Sequence, residues 1–343
     1  MTDPDVLALA LRALEGDWER MPGGGFSDKA TVSVITGGGS DRHFLRVEED
    51  GLSAVVLVQP GGGAEFDRYV RNGNFLRENG VAVPGFYFVD EGGVVVMEDL
   101  GDIHLVDALE DADPPAELAF YRDCINILYR LQTSVTGAEK ETGILGDMVF
   151  SEEMLLGETD YFAREFVVHY AGRPVPEGWD AERRTLAAEL ASHPRVFMHR
   201  DFQSRNIMVK DGTLRIVDFQ TAHRGPGMYD VASLLKDPYH PVESGTRKTL
   251  LMELYYRFTG NNPEPEGGFE AFNDRFVLAG IQRNMQALAA FSFLGLEKGK
   301  KEFLEFIRPG IGLLEEGLTE SGRFPVTSGL VARIRDKIIE RND

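Results

Sequence analysis

Apolar residues over the first hundred positions recur in short runs, each broken by a glycine-rich or acidic turn. Strand-length runs occupy Ala30–Ile35, His43–Val47, Ala54–Gln59, Phe86–Asp90 and Val94–Glu98. Their β-branched and aromatic content suits a pleated surface. Glu48-Glu49-Asp50-Gly51 and Glu91-Gly92-Gly93 supply hairpin turns between them. A helical period runs from Ala64 to Asn79, between the third and fourth runs, and Gly80 ends it. An amphipathic helix is also expected from Asp5 to Glu15, with Pro4 suited to its first turn.

Beyond Asp99-Leu100-Gly101 the apolar period becomes helical over Glu117–Val135, Glu152–Tyr170, Asp180–Ser192, Thr246–Phe258, Phe269–Leu296 and Lys300–Gly317. Two brief strand-like runs, Asn206–Lys210 and Leu214–Asp218, flank the tight turn Asp211-Gly212-Thr213. The pattern predicts an α+β chain. A small antiparallel β lobe with one inserted helix covers residues 1–97, a hinge covers 98–102, and a larger, mainly helical lobe covers 103–343. Gly-Gly-Gly occurs at 23, 37 and 61, but the flanks differ and no repeat follows.

Composition narrows the class of partner. The chain has 343 residues, 43% hydrophobic and 27% charged, within the range of soluble globular proteins. Thirty-six basic against 56 acidic side chains give a formal charge of −20. Such a field repels nucleic acid and anionic membrane, so neither is expected as a partner. Any bound phosphate then needs a local cation or metal. The single cysteine, Cys124, excludes an internal disulfide and shares a helical spacing with Phe120, Leu128 and Leu131, which marks it as core. The acidic start shows no export signal, and no run of about 18 apolar residues appears, so a cytoplasmic location is expected.

Candidate chemistry concentrates in one stretch. His199-Arg200-Asp201 followed by Asn206 meets every fixed position of H-R-D-x-x-x-x-N, and Asp218-Phe219 follows one hairpin later. Phosphoryl transfer needs placement and charge neutralisation more than covalent help. Asp201 is expected to orient an acceptor hydroxyl and take its proton, while Asn206 and Asp218 offer hard oxygen ligands to magnesium. ATP and Mg2+ are the expected cofactors. Gly37-Gly38-Gly39-Ser40-Asp41-Arg42 sits in the first hairpin, where backbone amides can approach phosphate. Phe44 and Arg46 fall on one side of the following strand. The backbones of Glu98 and Leu100 are candidates for the adenine edge. The third strand lacks the lysine that kinases place there, which leaves Arg46, Arg42 or Lys29 to replace it, with Glu65 as partner. No H-E-x-x-H, G-x-S-x-G or G-x-x-x-x-G-K-[ST] occurs.

Between Asp218 and Tyr229-Asp230 there is no room for a long activation segment, and A-P-E is absent, so a small-molecule hydroxyl is expected as acceptor and a protein substrate is not. His199–Val209, Asp218-Phe219-Gln220 and Gly225-Pro226-x-x-Tyr229-Asp230-x-x-Ser233-Leu234-Leu235 together resemble the aminoglycoside phosphotransferase/choline kinase family. Gly39-Ser40-Asp41-Arg42-x-Phe44-x-Arg46, Glu98-Asp99-Leu100-Gly101 and Gln282-Arg283-x-x-x-x-Leu288-x-x-Phe291 are similar to its branch of N-acetylmuramate/N-acetylglucosamine anomeric kinases of cell-wall recycling. The similarity spans roughly residues 30–300. It implies a bilobal protein-kinase-like fold, Asp201 as base, Asn206 and Asp218 as metal ligands, and Asp230 as a clamp on the catalytic loop. It further implies sugar contacts drawn from Glu158, Asp160, Asp237, Tyr239, Arg283 and Gln286. The chain departs from the branch around Leu155–Phe166 and Lys236–Val242. An aminoglycoside or amino-alcohol kinase, and an inactive nucleotide-binding scaffold, stand as the alternatives.

Overall fold

The computed structural model describes residues 26–27, 29–35, 42–90, 92–260 and 267–340, with Val6, Leu9 and Ala10 before them. In chain order the strands are β1 (Thr31–Ile35), β2 (His43–Glu49), β3 (Leu52–Val58), β4 (Phe86–Asp90), β5 (Val94–Glu98), β6 (Arg195–Met198), β7 (Ile207–Lys210), β8 (Thr213–Ile216) and β9 (His223–Pro226). The helices are α1 (Ala64–Glu78), α2 (Leu105–Glu110), α3 (Pro114–Arg130), α4 (Thr136–Thr142), α5 (Glu152–Tyr161) and α6 (Trp179–Ser192). They continue with α7 (Met228–Leu235), α8 (Ser244–Thr259), α9 (Gly268–Leu296), α10 (Ile307–Ser321) and α11 (Pro325–Glu340). Most of the helix expected at 5–15 lies outside the described residues.

The chain divides into two compact units. One comprises Met1–His104 with Asn206–Thr221, the other Leu105–Arg205 with Ala222–Asp343. This division differs from the boundaries expected from sequence. The stretch 98–102 lies inside the first unit, and so does the β7–β8 hairpin, which sequence placed in the helical lobe. The hairpin is too small to bury itself and is stitched to its unit by backbone bonds, Val209 N to Ile103 O at 2.9 Å and Ile216 N to Ala82 O at 2.9 Å.

In the first unit a five-stranded antiparallel sheet has the order β1-β2-β3-β5-β4. Leu45, Val47, Ala54, Val56, Val58, Val94 and Val96 cluster with Val6 and Ala10. Val55, Leu57, Val95 and Met97, on the alternate positions, are buried too, so Ala54–Val58 of β3 reads as an unbroken apolar run. Against that second face α1 sends Tyr69, whose hydroxyl lies 3.3 Å from Met97 Sδ and whose ring stacks on Phe86 and Phe219. Gly73 permits the approach: a Cβ there would lie 2.6 Å from the Phe86 ring. The β7–β8 hairpin turns through Asp211 and Gly212, both left-handed at φ 49° and 71°, the geometry whose twist matches the strands it joins.

The second unit is mainly helical. Asp113 caps α3 by accepting from Ala116 N at 2.9 Å, and Pro114 and Pro115 fill its first turn. The helix passes through a π-helical stretch, Leu131–Val135, into α4, and α5 continues as a π-helix over Phe162–Tyr170. Helix α9, 29 residues long and buried over most of its length, packs against α5, α7 and α10. Among the described residues no helix is long and apolar enough to cross a membrane.

Candidate active site

Strands β6 and β9 pair antiparallel, Met198 opposite His223, and β6 hands the chain to His199. Gly225 lets this pairing close tightly, since a Cβ there would meet Met198 Sδ at 2.9 Å and Phe150 Cβ at 3.0 Å and would force the methionine to shift. The loop that follows is pinned by two buried carboxylates. Asp230 of α7 accepts from His199 N at 2.6 Å and from Arg200 N at 2.8 Å. Arg200 sits at φ 80°, a conformation a bulky residue holds only when its surroundings impose it. Asp237 accepts from Ser204 N and Oγ at 2.8 and 2.7 Å, and from Tyr239 N at 2.9 Å. Burial dominates both carboxyl groups, raising Asp230 from its ordinary range to about 7 and shifting Asp237 upward as well. Arg205 closes the loop, its guanidinium 4.2 Å from the Tyr239 ring centre, 4.9 Å from Phe306 and 5.4 Å from Phe303.

Between these anchors Asp201 presents its carboxylate, 39% exposed, with Oδ1 3.4 Å from Arg283. Arg283 is itself held from several sides. Its Nε donates to Ser233 Oγ at 2.9 Å, and its terminal nitrogens donate to Gln203 Oε1 at 2.7 Å and Gln286 Oε1 at 2.5 Å. Glu158 is buried: its oxygens accept from Tyr229 OH at 2.9 and 3.1 Å and from Gln282 Nε2 at 3.1 Å, and Arg200 lies 3.6 Å away. Burial pushes the Glu158 carboxyl up, opposed by Arg200 and by those two donors. The six candidate sugar contacts therefore separate. Arg283 and Gln286 gather beside Asp201, Asp237 and Tyr239 are engaged with the loop and its arginine, Glu158 is a buried counter-ion, and Asp160 is an exposed partner of Arg183 at 2.9 Å. Gln203 and Ser233 belong to the cluster, and neither was expected from sequence as a contact, although Ser233 is a fixed position of the motif behind the resemblance. Gln203 is one of the variable positions inside the H-R-D-x-x-x-x-N pattern.

The first unit carries the remaining candidates. Val217 N donates to Asn206 O at 3.0 Å, and the Ile207–Ile216 register sets the two hairpin ends side by side, with Asp218 one residue on. Asp218 has a left-handed backbone, φ 61°, and a side chain 46% exposed. Arg42 lies 3.5 Å from Asp218 Oδ1 and 3.9 Å from Glu65 Oε1, near the rings of Phe44 and Tyr69. Phe44 and Arg46 share the sheet face of Leu57 and Val55, as expected from their alternation. Arg46 is committed elsewhere, donating to Asp99 at 2.8 and 3.1 Å and to Asp102 at 2.8 and 3.0 Å. Lys210, unremarked in the sequence, bonds Glu98 Oε1 at 3.1 Å and Asp99 O at 2.7 Å, fixing the stretch that includes Glu98 and the buried Leu100. Gly37, Gly38, Gly39, Ser40 and Asp41 lie outside the described residues. Asn206 and Asp218 offer one amide and one carboxylate, both hard oxygen donors. Among the described residues no group of three or more histidine, cysteine, aspartate or glutamate side chains is arranged to hold a metal. A donor pair of this kind fits magnesium, which takes its other ligands from phosphate and water.

The model of the phosphotransferase enzyme family matches residues 31–257, which include the sheet, the catalytic-loop sequence and the hairpin after it. The chain belongs to this family. Among the members it resembles, the N-acetylmuramate/N-acetylglucosamine kinase of Neisseria meningitidis serogroup B is 29% identical over 273 residues, 76% of this chain and 78% of its own. The kinase of the same name from Pseudomonas aeruginosa is 26% identical over 267 residues, 77% of each chain. An aminoglycoside phosphotransferase solved with ADP bound superposes with a TM-score of 0.58 at 12% identity, over 91% of this chain and 99% of its own. A choline/ethanolamine kinase family protein from Mesorhizobium loti gives 0.56 at 16%, over 88% and 92%. These solved structures establish the fold, the α+β protein-kinase-like architecture expected from the sequence.

Proposed function

We propose that this phosphotransferase moves the γ-phosphoryl group of ATP to a hydroxyl of a small amino sugar, with the anomeric hydroxyl of N-acetylmuramate or N-acetylglucosamine as acceptor. The observation that carries the reading is Asp201, an accessible carboxylate in a loop pinned at both ends and flanked by the buried Arg283. Asp201 orients the acceptor hydroxyl and receives its proton as the oxygen attacks phosphorus. Arg283, Gln203 and Gln286 offer polar groups to the acceptor at that point. Asn206 and Asp218 would hold magnesium, which supplies neutralising charge to the phosphates. The names of the curated relatives favour the amino-sugar acceptor.

The test is magnesium-dependent ATP consumption against a panel of N-acetylmuramate, N-acetylglucosamine, aminoglycosides and choline. Turnover is expected with an amino sugar. Asp201→Ala is expected to lower kcat by about 10²–10⁴ with nucleotide affinity preserved. Turnover confined to an aminoglycoside or choline would refute the acceptor, and undiminished turnover in the variant would refute the role of Asp201.

A further inference from the structure

We propose that Glu158 is a positioning residue for the transfer, holding Arg200 and Gln282 so that Asp201 and Arg283, the next residue in each case, keep their contact. The proposal deepens the reading above and rests on it. It starts from a buried charge. Glu158 of α5 is 7% exposed, and burial drives its carboxyl upward against the opposing pull of Arg200, Gln282 and Tyr229. A buried ion pair is a poor route to stability, because apolar side chains of similar volume often do as well. Geometry supplies a reason for keeping this one.

Three elements meet on this carboxylate. Tyr229 OH of α7 donates to Oε2 at 2.9 Å and to Oε1 at 3.1 Å, and Gln282 Nε2 of α9 donates to Oε2 at 3.1 Å. Arg200 of the catalytic loop lies 3.6 Å from Oε1. Each partner immediately precedes a residue of the candidate site. Arg200 precedes Asp201, and Gln282 precedes Arg283. Tyr229 precedes Asp230, whose carboxylate accepts from His199 N and Arg200 N. Adjacent Cα atoms are about 3.8 Å apart, so a displaced partner carries its neighbour with it. Glu158 therefore holds both sides of the 3.4 Å contact between Arg283 and Asp201. Enclosed, with both oxygens engaged, the carboxylate acts through these neighbours and not on an acceptor.

The other two buried acids of the loop do a different job. Asp230 and Asp237 accept from backbone groups of the loop and of Tyr239, with Ser204 Oγ beside them, and so fix where the loop runs. Among the described residues none of their hydrogen bonds reaches α9. Glu158 alone of the three ties a loop side chain to that helix, and Gln282 is further fixed to α5 through Leu155 O, at 2.9 Å from its Nε2. Arg200 needs such a tether. Its backbone is left-handed at φ 80°, and its guanidinium lies 5.3 Å from the centre of the Phe150 ring. A ring face attracts a cation over an area, whereas a carboxylate directs it to a point.

The test measures kcat and acceptor KM on the full chain with magnesium, using the acceptor that the parent turns over fastest. Urea midpoints establish that each variant is folded at the assay temperature. Glu158→Gln should lower kcat about 10–100-fold, the order of loss that a misplacement of about 1 Å brings, while KM stays within about threefold. The double variant with Arg200→Met should be no more than about threefold slower than the slower single variant, because Glu158 acts on Asp201 through Arg200. Gln282→Leu cuts the link to α9 and leaves the charge pair. It should lower kcat about 3–10-fold, and it keeps the idea testable if Glu158→Gln folds poorly. Undiminished kcat in folded Glu158→Gln would overturn the proposal. So would a loss confined to KM, the mark of a substrate contact, or losses that multiply in the double variant. A parent that turns over no acceptor would remove the reaction proposed above together with this inference. An active parent whose kcat is indifferent to Glu158 removes this inference alone.

Discussion

Replacing Arg46 with methionine keeps the aliphatic stem against the sheet and removes the guanidinium. Two carboxylates lose their partner, and their surroundings make the losses unequal. Asp102 is 78% exposed, so its share of the ion pair is screened by water and is worth about 0.5 kcal/mol. Asp99 is 7% exposed and receives two charge-assisted bonds, at 2.8 and 3.1 Å. Without Arg46 its carboxylate retains Gly101 N, at 2.9 Å, as the donor nearest in sequence. A buried charge stripped of such a partner costs about 2–3 kcal/mol. Arg46→Met is therefore expected to destabilise the protein by about 3 kcal/mol in urea unfolding. The cycle with Asp99→Asn should show a coupling of about 1.5–3 kcal/mol. Hydrogen exchange should rise across Glu98–Asp102, which the arginine straps to β2. A total loss below about 1 kcal/mol, or a coupling below about 0.5 kcal/mol, would refute this weighting of the two pairs.

Tyr229→Phe is expected to cost about 1–3 kcal/mol, because the buried Glu158 carboxylate loses its hydroxyl donor at 2.9 Å. Full additivity with Glu158→Gln, within about 0.5 kcal/mol, would contradict the contact. Asp230 makes stability depend on pH. Its carboxyl rises from 3.8 to about 7 in the folded protein, chiefly through burial, so the folded state keeps the proton longer than the unfolded chain. The associated stability is present in full below the unfolded value and is lost as pH rises through about 7. The three-unit rise corresponds to a decline of about 4 kcal/mol between the acidic and alkaline limits. Urea midpoints from pH 5 to 8 should fall more steeply for the parent than for Asp230→Asn, and equal slopes would argue against the assignment.

Periodicity recovered the strands bounded by clear turns and the longer helices, and lost elements that are short, or helical and wholly buried. The runs Phe86–Asp90 and Val94–Glu98 and the helix starting at Ala64 fall where the pattern put them. Helix α7 was missed because every residue from Met228 to Leu235 is buried, which erases the apolar stripe. Strand β6 has only four residues, and β9 ends in Gly225-Pro226, which reads as a turn. The start of α3 was set late because Pro114-Pro115 was not taken as a first turn. In the candidate site, Asp201, Asn206 and Asp218 could be picked out from sequence because H-R-D-x-x-x-x-N and the aspartate after the hairpin have fixed types and spacing. The pairing of Arg46 with Asp99 and Asp102 could not, since it depends on which carboxylates lie across the sheet. Glu158 and Asp237 illustrate the same gap: a sequence shows an acidic residue, and only the fold shows that Tyr229 or Ser204 already occupies its oxygens.

The anchors of the catalytic loop also bear on how the enzyme should respond to ionic strength. Asp230 and Asp237 are buried, so dissolved salt has little access to either. The surface, with a formal charge of −20, is fully open to screening. A polyanionic ligand approaching such a molecule is repelled over a Debye length of roughly 30 Å in dilute buffer and only about 8 Å at physiological salt. Added electrolyte should thus act on the rate of encounter and leave the geometry around Asp201 alone.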